Sequence, residues 1–231
     1  PNMLHEYEKA LREQKNGYSP SYGLPELREA IALDEREKKN SGWNCTADDV
    51  YVTTGVTEAL QILFASFLEP GDRVLAPGPH YPPYVAYPPL FDGKVTEYRL
   101  QANKGWRIDL SDLEAKLDDS VKLVVLINPN NPTGGIVAQD DLEQVIELVR
   151  RYSTCTILSD EIYDRYNFNE THTATASLSE SVPVVTLNGV SKVFYAPGWR
   201  IGYLAMHDPG MHPTLSPNLQ THPRIVLLIA K

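Results

Sequence analysis

Four short segments of this chain are apolar almost from end to end: RVLA from residue 73, KLVVLI from residue 122, TIL from residue 156 and VVTL from residue 184. A strand with one wetted face alternates apolar and polar side chains; a strand covered on both faces need not. Between these segments lie stretches of helical periodicity. The clearest are DDLEQVIELVRRY (residues 140–152) and GVTEALQILFASFL (residues 55–68), the latter apolar nearly all round and so expected to be buried. Repeated strand–helix–strand units with such strands predict an α/β fold: a mostly parallel sheet with helices on both faces, in three layers.

The rest of the chain is organised around that unit. Leu4, Tyr7 and Leu11 recur at helical spacing, so residues 3–15 read as an amphipathic helix. Pro25 opens a second helix, expected to stop near residues 40–42. This divides the chain into an N-terminal helical segment (1–42), a large domain (43–210) and an irregular tail (211–231). In the tail Pro213, Pro217 and Pro223 forbid a long helix. A formal net charge of −9 argues against a nucleic-acid partner held through phosphates. No apolar run reaches the length needed to span a bilayer. Cys45 and Cys155 form no metal pattern, so no metal is expected; they allow a single disulfide without implying one. The charged start is unlike a signal peptide, and a reducing, cytoplasmic setting is the expectation. The chain does not begin with Met, which reads as a fragment or a processed form.

Ligands of parallel sheets gather beyond the carboxyl ends of the strands, and four polar clusters fall there. Thr53-Thr54-Gly55-Val56-Thr57 joins a strand to the buried helix. It reads as a phosphate cradle at a helix start, or as a simple N-cap using Thr54 or Thr57. The loop 128–135, NPNNPTGG, reads as a stiff, extended path that presents an asparagine amide, or as a tight turn, although its asparagines, prolines and glycines exceed what a turn requires. Asp160 ends an apolar strand, where an unpaired carboxylate is costly, so it wants a cationic partner; Tyr163 follows three residues on. The alternative is a surface Asp-Glu pair. Lastly, Lys192 follows VVTLNG, and Arg200 lies eight residues further. These read as a carbonyl-binding lysine with an anion-holding arginine, or as two solvated cations.

Taken together the clusters supply a lysine, a buried aspartate, a phosphate cradle with an arginine, and phenol and amide donors. Pyridoxal phosphate needs all of them: a lysine for its aldehyde, an anion site for its phosphate and a carboxylate to keep its ring nitrogen protonated. A plain nucleotide-binding domain explains the cradle but not Asp160 and Lys192.

The segments YSPSYGLPELREAIA, TTGVTEAL, PGPHYPPYVAY, NPNNPTGG, SDEIYDRY and NGVSKVFYAPGWRIGY, in this order, resemble those of class I aminotransferases, pyridoxal-phosphate enzymes of fold type I near the alanine and aspartate branches. The resemblance covers residues 1 to about 207. It implies that Lys192 binds the cofactor aldehyde and shuttles the substrate proton, and that Asp160 pairs with the ring nitrogen. Asn131 and Tyr163 would donate to the ring oxygen. Gly55, Val56, Thr57 and Arg200 would hold the phosphate, and Tyr81 would stack on the ring. Tyr18 would reach the phosphate of a neighbouring subunit, which implies a homodimer with shared sites. Where many members have serine three residues before the lysine, this chain has Gly189, which leaves Ser191 to supply the hydroxyl.

The implied activity is ping-pong transfer of an amino group between an alanine- or aspartate-like amino acid and a 2-oxo acid. The resemblance also implies that the family's opening segment and the C-terminal small domain, with its carboxylate-binding arginine, are largely absent. Two other readings stand beside it: a lyase or synthase on the same scaffold, and an inactive truncated form with a binding role.

Overall fold

The computed structural model describes residues 2–15, 17–37, 43–168 and 172–209. The expected tail at 211–231 and the expected end of the second helix lie outside these residues. In chain order the elements are α1 (Asn2–Arg12), α2 (Pro25–Glu37), β1 (Val50–Thr53), α3 (Val56–Phe67), β2 (Arg73–Gly78), α4 (Pro83–Ala86), β3 (Lys94–Gln101), β4 (Arg107–Ile108), α5 (Leu110–Glu114), β5 (Val121–Ile127), α6 (Gln139–Val149), β6 (Thr156–Asp160), β7 (Val184–Gly189) and β8 (Gly202–His207).

The strands form one sheet in the order β1-β8-β7-β6-β5-β2-β3-β4. The apolar strands β7, β6, β5, β2 and the neighbouring β3 run parallel. Side chains of β5 alternate between two cores. Leu123, Val125 and Ile127 pack with Leu60, Leu63 and Phe64 of α3; Val124 and Leu126 pack with Leu142, Val145 and Val149 of α6 and with Ile31 of α2. The absence of a polar face on this strand therefore has its physical cause in two helical layers. Each such fully buried leucine contributes about 1.5–3 kcal/mol.

Three local features complete the fold. Residues 109–118 give only the short α5, whose N-cap Asp109 accepts from the backbone N–H of Asp112 at 3.2 Å. Residues 80–91, rich in proline and tyrosine, give the single turn α4 and a 3-10 turn at Pro88–Phe91. β8 returns antiparallel to β7, because the connection through residues 190–201 contains turns and one 3-10 turn (Pro197–Trp199) but no crossover α-helix. The segment 1–42 is tied to the sheet through α2: the guanidinium of Arg28 donates to the carbonyls of Val50 (2.9 Å) and Ala47 (2.5 Å). Cys45 and Cys155 are both buried, and burial pushes the Cys155 thiol up to about 12. No helix among the described residues is long and apolar enough to cross a membrane.

Candidate active site

The sheet register collects the polar clusters at one edge. Ile127 pairs with Asp160 and Asp160 with Leu187, so the loops leaving β5, β6 and β7 emerge side by side. β8 is antiparallel to both β7 and β1, and Gly202 pairs with Gly189 on one side and Thr53 on the other. The start of α3 and the Lys192 loop thus reach the same edge. A cavity there is lined by Val56, Thr57, Tyr81, Asn131, Asp160 and Tyr163, together with Ile162, Ser191, Lys192, Pro197 and Arg200.

At one end of the cavity is the buried carboxylate of Asp160, 4% exposed. It accepts from the Tyr84 hydroxyl at 2.6 Å and from the Ile162 N–H at 3.1 Å. Burial pushes its carboxyl up to about 6; the hydrogen bonds from Tyr84 and Ile162 and the nearby Lys192 oppose the rise, and neighbouring Glu161 adds to it. A cationic partner is expected for such a carboxylate. Here its close donors are a phenol and a backbone amide, with Lys192 near enough to be felt. The Lys192 ammonium lies 5.7 Å from the centre of the Tyr163 ring. The backbone carbonyl of Lys192 accepts from the Tyr195 N–H and the Tyr166 hydroxyl, each at 3.2 Å, which holds its turn against the β6 loop.

At the other end the cradle is built by close backbone approach. Gly55 caps α3 at a φ of 75°, with no side-chain cap bond, so neither Thr54 nor Thr57 serves as the simple cap. Instead Glu58 reaches back to the Thr54 N–H at 2.5 Å, and Thr57 lines the cavity. Any Cβ on Gly55 would strike the guanidinium of Arg200. That guanidinium is held by the carbonyls of Pro197 (2.9 Å) and Thr54 (3.4 Å). Backbone N–H groups of a helix start beside an arginine form an anion site by charge and by geometry.

The loop 128–135 folds back on itself instead of running extended. The N–H of Asn130 donates to Gly135 and that of Gly134 to Asn130, each at 2.8 Å, while the Asn128 side chain accepts from the Val137 N–H at 3.0 Å. Its many polar residues are thus spent on closing a tight loop that leaves Asn131 facing the cavity.

Of the site residues expected from the sequence, two lie away from the cavity wall. Gly55 is buried beneath Arg200, and Tyr18 is fully exposed outside the cavity. Tyr84, Ile162 and Pro197 are additions. Tyr84 was legible only as one tyrosine in a Pro- and Tyr-rich stretch. A fully buried phenol requires a hydrogen-bond partner, but nothing local names Asp160, 76 residues away.

The residues present fit pyridoxal phosphate: a crowded glycine cradle with an arginine at one end, a buried carboxylate at the other and an amine beside the wall between them. Fold and site together define an enzyme large domain of fold type I. The profile described as "Aminotransferase class I and II" matches residues 3–225. This chain belongs to that family of pyridoxal-phosphate enzymes. It is 36% identical to the alanine aminotransferase of Mycobacterium tuberculosis over 198 residues, which are 85% of this chain and 46% of that protein. It is 35% identical to an S-alkyl-thiohydroximate lyase of Arabidopsis thaliana, over 86% of this chain and 43% of that one. The solved alanine aminotransferase of Pyrococcus furiosus superposes with a TM-score of 0.88 at 40% identity, covering 99% of this chain and 56% of that one. The chain spans about half the length of the curated relatives it matches.

Proposed function

We propose that this chain is the cofactor-binding part of an aminotransferase that moves an amino group between an amino acid, alanine- or aspartate-like, and a 2-oxo acid. The observation that carries this reading is the single cavity in which Lys192, Asp160, Tyr163, Asn131, Arg200 and Thr57 meet. Pyridoxal phosphate, when bound, supplies the electron sink that makes the substrate's α-proton acidic. Lys192 would hold the cofactor aldehyde, and its Nζ is the base that would move the proton of the substrate Cα. Asp160 would be the residue that keeps the ring nitrogen charged, which favours negative charge developing at Cα. Asn131 and Tyr163 would donate to the ring oxygen, Tyr81 would pack on the ring, and Val56, Thr57, Ser191 and Arg200 would hold the phosphate, with Gly55 giving Arg200 room.

The assembly in this reading is a homodimer with shared sites. Tyr18 is fully exposed, and Leu4, Tyr7 and Leu11 of α1 present an apolar stripe that is 47–64% exposed, as a helix facing a second copy would. The 1–42 segment then serves assembly and residues 43–210 serve chemistry. In this reading the setting is reducing and cytoplasmic and the role lies in amino-acid metabolism.

The test adds pyridoxal phosphate and follows the visible absorbance of the lysine-bound cofactor. Binding with a new band is expected in the wild type, and loss of that band in Lys192→Ala. Oxo-acid-dependent turnover of alanine, aspartate and glutamate, measured beside β-elimination, then separates transfer from the lyase chemistry named for the Arabidopsis relative. A Lys192→Ala protein that kept the band and normal turnover would refute the assignment.

A further inference from the structure

Lys192 enters the cavity from a turn, not from a strand or a helix. Residues 190–195 are closed by backbone bonds from the Phe194 N–H to the Val190 carbonyl at 3.3 Å and from the Tyr195 N–H to the Lys192 carbonyl at 3.2 Å. The turn ends on Tyr195 at a φ of 53°, in the left-handed region that a bulky residue rarely enters. Burial does not offset this, because Tyr195 is 84% exposed. A turn strained in this way keeps its shape only where its surroundings hold it. The hold comes from the segment after β6. A 3-10 turn at Asp164–Tyr166 fixes Tyr166, whose N–H donates to the Tyr163 carbonyl at 2.8 Å. The Tyr166 hydroxyl donates to the Lys192 carbonyl at 3.2 Å, and the Tyr195 side chain bonds the same hydroxyl. The Tyr166 ring meets that of Tyr163 edge-on, with centres 5.7 Å apart and planes at 83°.

We propose that Tyr166 is a positioning residue for Lys192: its hydroxyl keeps the turn of residues 192–195 in its strained form while its ring backs Tyr163, so that the amine and the phenol keep their relative places. The contacts close into a circuit, since the Lys192 ammonium lies 5.7 Å from the centre of the same Tyr163 ring. Tyr166 touches the backbone of one cavity residue and the ring of the other, and is not itself part of the cavity wall. A lysine carries its amine on a flexible stem, so the anchorage of its backbone decides where the amine can reach. At a reacting group a misplacement of about 1 Å can cost about 10²-fold in rate. The significance of Tyr166 rests on the functional reading above; its test does not.

The test is made on the cofactor-free protein. Proton NMR follows the side-chain CH2 group next to the Lys192 nitrogen, its signal assigned by loss in Lys192→Ala. The Tyr163 ring should displace this signal from the position of exposed lysines, and Tyr163→Leu should abolish the displacement. In Tyr166→Phe, which keeps the ring and loses only the hydroxyl, most of the displacement should disappear. Amide exchange at Tyr195 should quicken there by roughly two- to tenfold, the factor that one ordinary hydrogen bond is worth. In Tyr166→Phe/Tyr195→Asn both should return towards the wild type, because asparagine enters the left-handed region and the turn no longer needs holding. That second substitution removes an exposed ring whose partner hydroxyl is already gone. A Lys192 signal unmoved by Tyr166→Phe or by Tyr163→Leu, or a double variant altered as far as the single one, overturns the proposal. A Tyr166→Phe protein that fails to fold would make the tyrosine a stabilising residue alone and overturns it as well. A wild-type protein that binds no pyridoxal phosphate would count against the functional reading and leave these outcomes as they are.

Discussion

The two ends of the cavity are made in different ways. The cradle end is a matter of shape: Gly55 under Arg200, Gly202 under Gly55, and a helix start with little room for a side chain. The Asp160 end is a matter of charge: a carboxylate only 4% exposed, kept partly ionisable by a phenol, a backbone amide and a lysine. The cation of the cradle is a permanently charged guanidinium, so a change in the cradle's shape should weaken its grip by a similar factor on either side of neutrality. A buried carboxylate raised to about 6 titrates within the working range. Substitutions at one end should therefore change affinity at every pH, and substitutions at the other should change where on the pH scale the protein works.

The largest effect is expected at the charged end. In the proposed reading Asp160→Asn removes the carboxylate that would hold a proton on the ring nitrogen, and transfer should fall by about 10²–10³ or more, the scale of losing one preorganised electrostatic contact. The same variant should stabilise the cofactor-free protein. A carboxyl raised from 3.8 to about 6 gives stability that is fully present below its ordinary value and lost as pH rises through the folded value. Ionised aspartate thus costs the fold about 2–3 kcal/mol above pH 6, at 1.36 kcal/mol per unit. Asparagine avoids that cost; its one oxygen still accepts from Tyr84, while the bond from the Ile162 N–H is lost. Thermal unfolding should show the variant gaining on the wild type between pH 4 and 6 and holding that gain above. A stability difference that is the same at pH 4 and pH 8 would refute the electrostatic account of this end.

Next in size is the shaped end. A Cβ on Gly202 would lie 2.5 Å from the carbonyl carbon of Gly55 and 2.6 Å from the nitrogen of Val56, both backbone atoms that cannot swing aside. Gly202→Ala should displace the helix start at a cost of about 1–3 kcal/mol, which is roughly five- to a hundredfold in the pyridoxal-phosphate dissociation constant. Titrations at pH 6 and pH 8 should give the same fold-change. A loss confined to one of these pH values would break the distinction between the two ends.

How much of this was legible in the sequence also differs between the ends. The central strands and α3 were readable because burial on two faces leaves a continuous apolar pattern. Asp160 and Lys192 were readable because each is a charge set directly after such a strand. The cradle's logic was only half visible. Gly55 reads as part of a cradle at a helix start, but its close approach to Arg200, 145 positions later, and that of Gly202 to Gly55 exist only once β8 lies antiparallel between β1 and β7. The departure at Gly189 has the same origin. A side chain there would come within 2.7 Å of the Ile201 carbonyl, so the serine common in the family has no room at this position without moving β8. Close backbone approaches leave no periodicity in a sequence, and neither does a partner such as Tyr84, which meets Asp160 across the sheet.

That partner gives the smallest and most specific effect. Tyr84→Phe keeps the buried ring and removes one oxygen, so packing in the α3-side core is nearly conserved. What is lost is a hydrogen bond that favours the ionised form of Asp160, of the charged kind worth about 1.5–3 kcal/mol. The Asp160 carboxyl should then rise above its value of about 6, by roughly one to two units at 1.36 kcal/mol per unit. Because the ionised form is the one that pairs with the ring nitrogen, the acid limb of pyridoxal-phosphate binding should move to higher pH by a similar amount. Binding well above that limb should stay close to the wild type. The sign follows from the donor: a hydroxyl pointing at a carboxylate stabilises the anion, and removing it can only make the anion harder to form. A limb that moved to lower pH, or an affinity reduced equally at all pH values, would place Tyr84 with the shaped end of the cavity and not with the charged one.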